Sequence, residues 1–530
     1  MFRLYDSKRS KSQDYKGGDY IPLNPRKRQP VPTPNSSIAN QFALSPDPNQ
    51  WGYNVSPNDA EADDWIHVPD KKIDDTGSIL NPRGISALGC IGIIFMSILT
   101  LFFIWPLETG IRKMLTATTQ SGFNVGGINS TEQVYETAFA LVDKDTPQDV
   151  RRKTSPVDNR EMVLVFSDEF ELEGRTFWPG DDPYWEAVDM HYWGTDDLEW
   201  YDPQQAYTKD GQLWIEFQEA KREDNHNLTY VSAMITTWNK FCFTGGLIET
   251  SVQLPGSSKV KGFWLWTMGN LGRAGFGATT EGLWPYSYES CDIGTVKNQT
   301  ESSLSQPFPP HCEPHPGPVY ADGTYAGRGA PEIDVLEALI DPNLLAGAVS
   351  QSAQFAPYSA EYKWDNLTYG HYYGTLGDDQ YVNTYPGGVW QQTASTVSKT
   401  NQGCYELEEK CFATYGFQYV PGYQENGAYI TWINDGKLAW RMDAQGFGED
   451  ATTQIGKRAV SKEPMYVIIN LGLSDGFSHG IPFDELQFPA YMKVDWIRVY
   501  QYEDAMNVSC DPPNFPTSNY INAYVPLLYP

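Results

Sequence analysis

The sequence predicts an all-β sandwich over most of its length, preceded by one transmembrane helix and a disordered N-terminal tail. From Met162 onwards, short β-like runs alternate with turns rich in Gly and Pro, and no long amphipathic helix interrupts them. Aromatic residues make up 14% of the chain, which is also typical of β-rich folds. The runs are MVLVFSDEF, QLWIEFQEA, GGLIETSVQL, FWLWTM, EIDVLEALI, AYITWIND, MYVIINLGL and MKVDWIRVYQ.

Residues 1–84 are rich in Pro, Ser, Asn, Asp and Lys and show no sustained apolar periodicity. Such a segment cannot bury enough apolar surface to fold, so we expect a disordered cytosolic tail. Its charges sum to zero, and the rest of the chain therefore carries the whole net charge of −29. That acidity argues against nucleic acid as a partner, because nucleic-acid binding needs basic patches.

The stretch 85–107 is uncharged and strongly apolar. It is long enough to cross a bilayer, and Trp105 lies near one of its ends, where a membrane interface would be. It begins too far from Met1 to be a cleaved signal peptide. We therefore predict a transmembrane signal anchor at 85–107, followed by a polar stem at 108–160.

The charges that flank this anchor leave its orientation open, and the cysteines and glycosylation sequons decide it. Six cysteines follow the anchor, an even number that suits disulfides in an oxidising compartment. Five Asn-x-Ser/Thr sequons follow it as well. We therefore predict a single-pass type II membrane protein of the secretory pathway, in the endoplasmic reticulum, Golgi or plasma membrane. The cysteines are Cys242, Cys291, Cys312, Cys404, Cys411 and Cys510, and the sequons are at Asn129, Asn227, Asn298, Asn366 and Asn507.

The predicted sandwich occupies residues 161–503 and is followed by a C-terminal extension at 504–530. Two long irregular stretches interrupt its strands, at roughly 270–328 and 360–410, and each contains one pair of cysteines. We expect a local disulfide in each stretch, although the spacing alone does not choose among the possible connectivities. These pairs are Cys291 with Cys312 and Cys404 with Cys411.

Two motifs of other chemistries are not supported by their surroundings. Residues 472–476 read GLSDG and match the nucleophile elbow of serine hydrolases, but the FSHGIP that follows cannot form the required helix. His311 and His315 flank Cys312 in a Pro-rich loop, where a disulfide cysteine is commoner than a metal ligand. We predict no metal or cofactor, and leave open only a structural calcium.

The segment EIDVLE at 332–337 carries three carboxylates within an apolar, β-branched run. On a regular strand, Glu332 and Asp334 share one face and Glu337 points to the other. A single β-bulge near Val335 and Leu336 would turn all three to the same face. Cleavage or transfer of a glycosidic bond needs two carboxyl groups facing the anomeric carbon, and Glu332 and Glu337 are the predicted pair. The alternative is a solvated acidic edge strand.

This segment resembles the E-x-D-x-x-E signature of glycoside hydrolase family 16, and the similarity covers about residues 162–502. The basic tail, the anchor and the GRGAP that precedes the signature resemble one branch of it, the fungal β-1,6-glucan synthesis-associated membrane proteins. Further matching runs are FSDEF at 166–170, GGLIE at 245–249, GFWLW at 262–266 and VDWIRVY at 494–500.

The resemblance implies a concanavalin-like β-jelly-roll with a sugar-binding cleft on its concave face. It implies Glu332 as nucleophile, Asp334 as its helper and Glu337 as general acid/base of a retaining glycoside hydrolase or transglycosylase acting on β-glucan. It also implies a role in β-1,6-glucan and fungal cell-wall assembly. The main alternative is a glucan-binding scaffold or assembly factor without turnover, although a pure binder needs no three mutually repelling carboxylates.

Two features depart from the family pattern. Ala413 stands where many relatives have His, and the two inserts enlarge the domain, so the substrate of the compact glucanases is not transferred. Trp264 and Trp266 share one face of their strand, which in this family reaches the cleft, and each is predicted either to stack on a glucose ring or to be buried. The remaining substrate-binding candidates are Trp390, Tyr358 and His371.

Overall fold

The structure is a computed structural model, and it describes residues 82–104, 140–257, 263–276, 331–355, 363–387, 392–449, 451, 456–474, 483 and 486–523. The chain divides into two units, residues 1–106 and 107–530. The predicted tail, apart from residues 82–84, and the stem residues 108–139 lie outside the described residues, as do residues 105–107 of the predicted anchor.

The first unit is described over one helix, α1 (Pro82–Leu99), which continues as a π-helical turn over Thr100–Ile104. This helix overlaps the predicted anchor at 85–107, and its apolar side chains are exposed, with Ile93 and Phe95 as examples. In the described part of the chain, no helix combines the length and the hydropathy needed to cross a membrane.

The second unit is built from short strands, as predicted. In chain order the described strands are β1 (Arg152–Thr154), β2 (Glu161–Asp168), β3 (Glu186–Ala187), β4 (Glu199–Tyr201), β5 (Ala206–Lys209), β6 (Gln212–Glu219), β7 (Tyr230–Ser232), β8 (Met234–Thr236), β9 (Gly246–Gln253), β10 (Phe263–Gly269), β11 (Glu332–Asp341), β12 (Ala346–Phe355), β13 (Gly370–Tyr372), β14 (Gln380–Val382), β15 (Gln392–Lys399), β16 (Ala413–Val420), β17 (Tyr429–Asn434), β18 (Lys437–Asp443), β19 (Met465–Asn470) and β20 (Ala490–Gln501). Two short helices accompany them, α2 (Asn366–Tyr369) and α3 (Ser518–Ala523).

These strands form two sheets. Sheet I has the order β13-β18-β17-β16-β9-β20-β6-β7-β4, with β2 also paired to β20, β1 to β2 and β5 to β6. Sheet II has the order β14-β15-β12-β11-β10-β19-β8-β3. Among the described pairs, β4 with β7 is parallel and the others are antiparallel. The antiparallel, two-sheet arrangement confirms the predicted all-β class.

The main core lies between the two sheets and follows the alternation of each strand. On β6, Leu213 and Ile215 are buried while Trp214 between them is half-exposed. The core cluster takes side chains from both sheets, such as Ile248 of sheet I and Val467 of sheet II, each fully buried. Each such side chain contributes roughly 1.5–3 kcal/mol to stability, so the inner faces fix how the sheets face each other.

A second apolar cluster covers part of the opposite face of sheet II. It contains Met268 of β10 and Ile468 of β19, and the neighbours of Ile468 in sequence, Val467 and Ile469, belong to the main core. Phe515 and Tyr520, from the predicted C-terminal extension, are buried in the same cluster. The disulfide Cys242–Cys510 attaches that extension to the sandwich.

The described part of the predicted stem, residues 140–160, also belongs to the sandwich. Strand β1 pairs with β2, and Thr146 Oγ1 donates to Glu169 Oε1 at 2.9 Å. Ser155 Oγ donates to Gln418 Oε1 of β16 at 2.9 Å. The sandwich therefore begins before the predicted boundary at 161.

One of the two predicted local disulfides is confirmed. Cys404 and Cys411 are bonded, seven residues apart. Cys291 and Cys312 lie outside the described residues.

Candidate active site

The bulge predicted in the carboxylate strand is present in β11. On the β10 side, Leu265 pairs with Leu336 and Trp266 pairs with Asp334, which leaves Val335 as the extra residue. On the β12 side, the register also shifts by one between Ile333 and Glu337. Both neighbouring strands are continuous there, so the irregularity belongs to β11 alone.

The bulge turns two successive apolar side chains inwards. Val335 and Leu336 are both fully buried in the main core. Asp334 and Glu337 therefore share the opposite face, where both lie within hydrogen-bond distance of Ser352 Oγ of β12. This is the geometry that the sequence predicted for three carboxylates on one face.

Side chains from the core hold the bulge in place. A bulge leaves some backbone groups of the ladder unpaired. Trp432 Nε1 donates to Asp334 O at 2.8 Å, and Gln351 Nε2 donates to Val335 O at 2.8 Å. Gln351 also donates to Ile433 O in sheet I at 2.9 Å, so the bulge is bonded to the opposite sheet.

A row of polar side chains on β12 and β15 lies beside the carboxylates. Gln354 Nε2 lies 3.3 Å from Asp334 Oδ2 and 3.4 Å from Ser352 Oγ. Thr393 Oγ1 donates to Gln354 Oε1, which orients the amide so that its nitrogen faces the carboxylate. Ser352 and Gln354 were not among the predicted site residues. Their signal was the polar residue at every second position of one strand face, Ser350, Ser352 and Gln354, on the strand that follows the carboxylate strand.

The two buried carboxyls have raised pKa values. Burial raises the pKa of Asp334 to about 6, while hydrogen bonds with Ser352, Glu332 and Gln354 act in the opposite direction. Burial also raises the pKa of Glu337 well above its usual range, and the nearby charge of Asp334 adds to the effect. Glu332 is half-buried and hydrogen-bonded to Asp334.

Tyr192 borders the carboxylates from a loop that precedes β4. Burial raises the pKa of its phenol well above 10, and the charges of Glu332 and Asp197 raise it further. Its ring meets Trp266 edge-on, with the centroids 6.4 Å apart. No motif marked Tyr192, because the loop that carries it has no regular pattern.

A chain of hydrogen bonds continues from Trp266 away from the carboxylates. Trp266 Nε1 donates to Asn470 Oδ1 at 2.9 Å, and Asn470 Nδ2 donates to Tyr201 Oη at 2.9 Å. Tyr201 Oη in turn donates to Asp197 Oδ2 at 2.8 Å. Burial raises the pKa of Asp197 to about 6, and that of its neighbour Glu199 well above its usual range.

The predicted aromatic and histidine contacts have different outcomes. Trp266 pairs with Asp334 but is only 7% exposed, which matches the buried alternative. Trp264 pairs with Glu337 in the ladder. His371 lies on β13 of sheet I, where its exposed ring bonds to Asp443 at 2.8 Å. Because the carboxylates are on sheet II, the predicted contact of His371 with substrate is not supported. Trp390 and Tyr358 lie outside the described residues.

Residues 53–529 match the model of one protein family, described as beta-glucan synthesis-associated protein SKN1/KRE6/Sbg1. The chain belongs to this family. It is 36% identical to the beta-glucan synthesis-associated protein KRE6 of Saccharomyces cerevisiae, over 95% of this chain and 72% of that protein. It is 37% identical to the beta-glucan synthesis-associated protein SKN1 of Candida albicans, over 89% of this chain and 64% of that protein. The branch that the sequence resembles is thereby confirmed.

Among solved structures, the chain is similar to the endo-beta-1,3-glucanase of Pyrococcus furiosus. The TM-score is 0.40 at 18% identity, and the match covers 67% of this chain and 99% of that one.

The remaining predicted sites are placed as follows. Asn227 is exposed, and Asn366 and Asn507 are half-buried, while Asn129 and Asn298 lie outside the described residues. Within the described ranges, no group of three or more His, Cys, Asp or Glu side chains is arranged to hold a metal ion.

Proposed function

We propose that this protein is a retaining glycoside hydrolase or transglycosylase that acts on β-glucan and serves the assembly of β-1,6-glucan and the fungal cell wall. The observation that carries the proposal is the bulge in β11, which gathers Asp334 and Glu337 on one face. Relatives named for β-glucan synthesis support the choice of polymer.

In the first half of the reaction, a carboxylate oxygen of Glu332 attacks the anomeric carbon. The glycosidic C–O bond breaks, and Glu337 gives its proton to the leaving oxygen, so that the leaving sugar departs as a neutral alcohol. Glu337 suits this step because burial and the charge of Asp334 raise its pKa, which favours the protonated form that a general acid needs. Asp334, hydrogen-bonded to Glu332, orients the nucleophile.

In the second half, the Glu337 carboxylate takes a proton from an incoming hydroxyl group, whose oxygen displaces Glu332 from the anomeric carbon. Hydrolysis and transglycosylation differ only in whether that hydroxyl belongs to water or to a sugar. The names of the relatives refer to glucan synthesis, and this favours a sugar acceptor.

The experiment incubates the full chain, purified in detergent, with β-1,3- and β-1,6-glucan oligosaccharides. Mass spectrometry then measures new oligosaccharide products and a glycosyl adduct on Glu332. We expect both from the native chain, and neither from Glu332→Gln. Glu219→Gln is the matched control, because Glu219 is an exposed strand carboxylate on sheet I.

A non-catalytic glucan-binding scaffold is the second candidate. The observation that favours it is the burial of the site, because Asp334 is only 1% exposed and Trp266 only 7%. A scaffold would bind the oligosaccharides without product or adduct, and Glu332→Gln would still restore wall glucan in cells that lack the protein. That combination of results would replace the enzymatic proposal.

We also propose that the protein is a single-pass type II membrane protein whose sandwich is lumenal or extracellular. The disulfides within the sandwich and the exposed sequon at Asn227 support this orientation. Treatment with an N-glycosidase should increase the electrophoretic mobility of the native chain. The increase should be smaller for Asn227→Gln, and a native chain of unchanged mobility would contradict the orientation.

A further inference from the structure

One hydroxyl group lies between the two buried carboxyls of the site. Ser352 Oγ is 3.1 Å from Glu337 Oε2 and also contacts Asp334 Oδ2. Ser352 is 1% exposed, so water does not replace either contact. Both carboxyls therefore share Ser352 as a hydrogen-bond donor, while Gln354 Nε2 also faces Asp334 and Ser350 also hydrogen-bonds to Glu337.

Ser352 can donate only one hydrogen to the two carboxyls. A serine hydroxyl carries one hydrogen and two lone pairs. The amide nitrogen of Gln354 faces Ser352 Oγ at 3.4 Å and uses one lone pair. Thr393 holds that amide in its orientation, so Gln354 cannot offer its oxygen instead. Ser352 is left with a single hydrogen for two carboxyls.

We propose that Ser352 is a positioning residue whose one hydroxyl hydrogen serves Asp334 and Glu337 by turns, so that only one of the two carboxylates has this donor at a time. The first carboxylate to form is stabilised by the hydrogen of Ser352, whereas the second forms without a further hydrogen from Ser352. The site therefore favours a single negative charge on this pair.

This inference rests on the proposed function for its role in the reaction. While Glu337 is protonated, Ser352 donates to Asp334. When Glu337 gives its proton to the leaving oxygen, rotation of one C–O bond lets Ser352 donate to the new carboxylate. No proton is lost or gained by Ser352, because the hydroxyl keeps its own hydrogen throughout.

Among the described residues, the other titratable groups that face this pair are Glu332 on β11 and Tyr192 on the neighbouring loop. Tyr192 stays neutral over the working range, because burial and the nearby carboxylates hold the pKa of its phenol well above 10. Glu332 is the one group that needs a separate control.

The test is a titration of the carboxyl infrared bands of the full chain in detergent, without substrate, from pH 3 to pH 9. Asp334→Asn and Glu337→Gln identify the bands of the pair, and a Glu332→Gln background removes the third carboxyl. For Ser352→Ala we expect the lower of the two titration steps to rise by about one to two pH units, and the upper step to stay in place.

Two further variants separate this role from a merely structural one. Ser352→Thr keeps the hydroxyl group and should restore the native titration, and Ser352→Cys, a weak donor of similar size, should give a smaller shift. Ser395→Ala is the matched control, because Ser395 pairs with Ser352 in the ladder. Within the described residues, the hydroxyl group of Ser395 bonds neither to Asp334 nor to Glu337. Ser395→Ala should leave both steps unchanged.

Parallel movement of both steps in Ser352→Ala, or movement of neither, would overturn the proposal. The titration needs no turnover, so it is independent of the enzymatic proposal. If no glycosyl adduct forms on Glu332, the enzymatic proposal fails, but the proposal that Ser352 shares its hydrogen is unaffected. If both titration steps shift in parallel in Ser352→Ala, only the proposal about Ser352 fails.

Discussion

Deletion of Val335 should straighten β11 and still keep the three carboxylates on one face. The neighbouring strand β10 already pairs Trp266 with Asp334 and Leu265 with Leu336, and Val335 has no partner of its own there. Without Val335, the pairing becomes one-to-one over the whole strand. Asp334 and Glu337 would then be two residues apart on a regular strand and would again share a face.

The cost of this deletion can be estimated from the contacts of Val335. Its side chain is fully buried, and its removal costs about 2 kcal/mol. The hydrogen bond from Gln351 Nε2 to its carbonyl contributes about 1 kcal/mol more. We expect the free energy of unfolding, measured with urea, to fall by about 3 kcal/mol in total. Val335→Ala is the matched control, because it removes most of the side chain and keeps the bulge.

Formation of the glycosyl adduct should distinguish the deletion of Val335 from an insertion at the same position. The deletion variant should keep glycosyl adduct formation, because Glu337 still lies opposite Trp264 on β10. Insertion of one Ala after Val335 also restores an even spacing, but it moves Glu337 by about 7 Å along the strand, beyond the reach of Ser352. We expect that variant to be inactive. A folded deletion variant that forms no adduct would refute the view that the facing of Glu337 is all that the reaction needs from the bulge.

Three further predictions concern the site and the stability of the sandwich. Glu337→Gln should reduce turnover of glucan at least about 100-fold, and substrates with good leaving groups should lose less in the first step, because they need no protonation. Removal of the Cys242–Cys510 disulfide, which spans 268 residues, should lower the free energy of unfolding by about 5 kcal/mol, more than removal of the short-loop disulfide. In the folded state the pKa of Asp197 is raised to about 6. The contribution of Asp197 to the free energy of unfolding is therefore complete below about pH 4 and is lost as the pH rises through 6. In urea unfolding at pH 5 and pH 8, Asp197→Asn should therefore reduce the loss of stability between the two values, and an unchanged loss would contradict this assignment.

The carboxylate strand could be predicted from sequence because its information is local. Three carboxylates at fixed spacing in an apolar run require a bulge if they are to share a face, and the register of β11 confirms it. The disulfide between Cys404 and Cys411 is local in the same sense. Both predictions depended on residues within one short segment, where the period of the strand limits the possibilities.

Features that depend on which strands become neighbours could not be predicted in this way. Ser352 reaches the carboxylates only because β12 pairs with β11 in one register, and the chain gives no separate mark of that register. His371 is a predicted substrate contact from a long irregular stretch, yet its strand β13 pairs with β18 of sheet I. The strand β1 was hidden in the predicted stem, because three polar residues show no apolar alternation.

The bulge also explains how one strand can serve both the core and the site. A regular strand with carboxylates at alternate positions would give the core one side chain for each carboxylate. By turning Val335 and Leu336 inwards together, β11 places two successive fully buried residues between Asp334 and Glu337. Their burial offsets part of the cost of burying two carboxyls on the other face, which is reduced further because these groups share one negative charge. The same extra residue therefore sets the facing of Glu337 and anchors the strand that carries it.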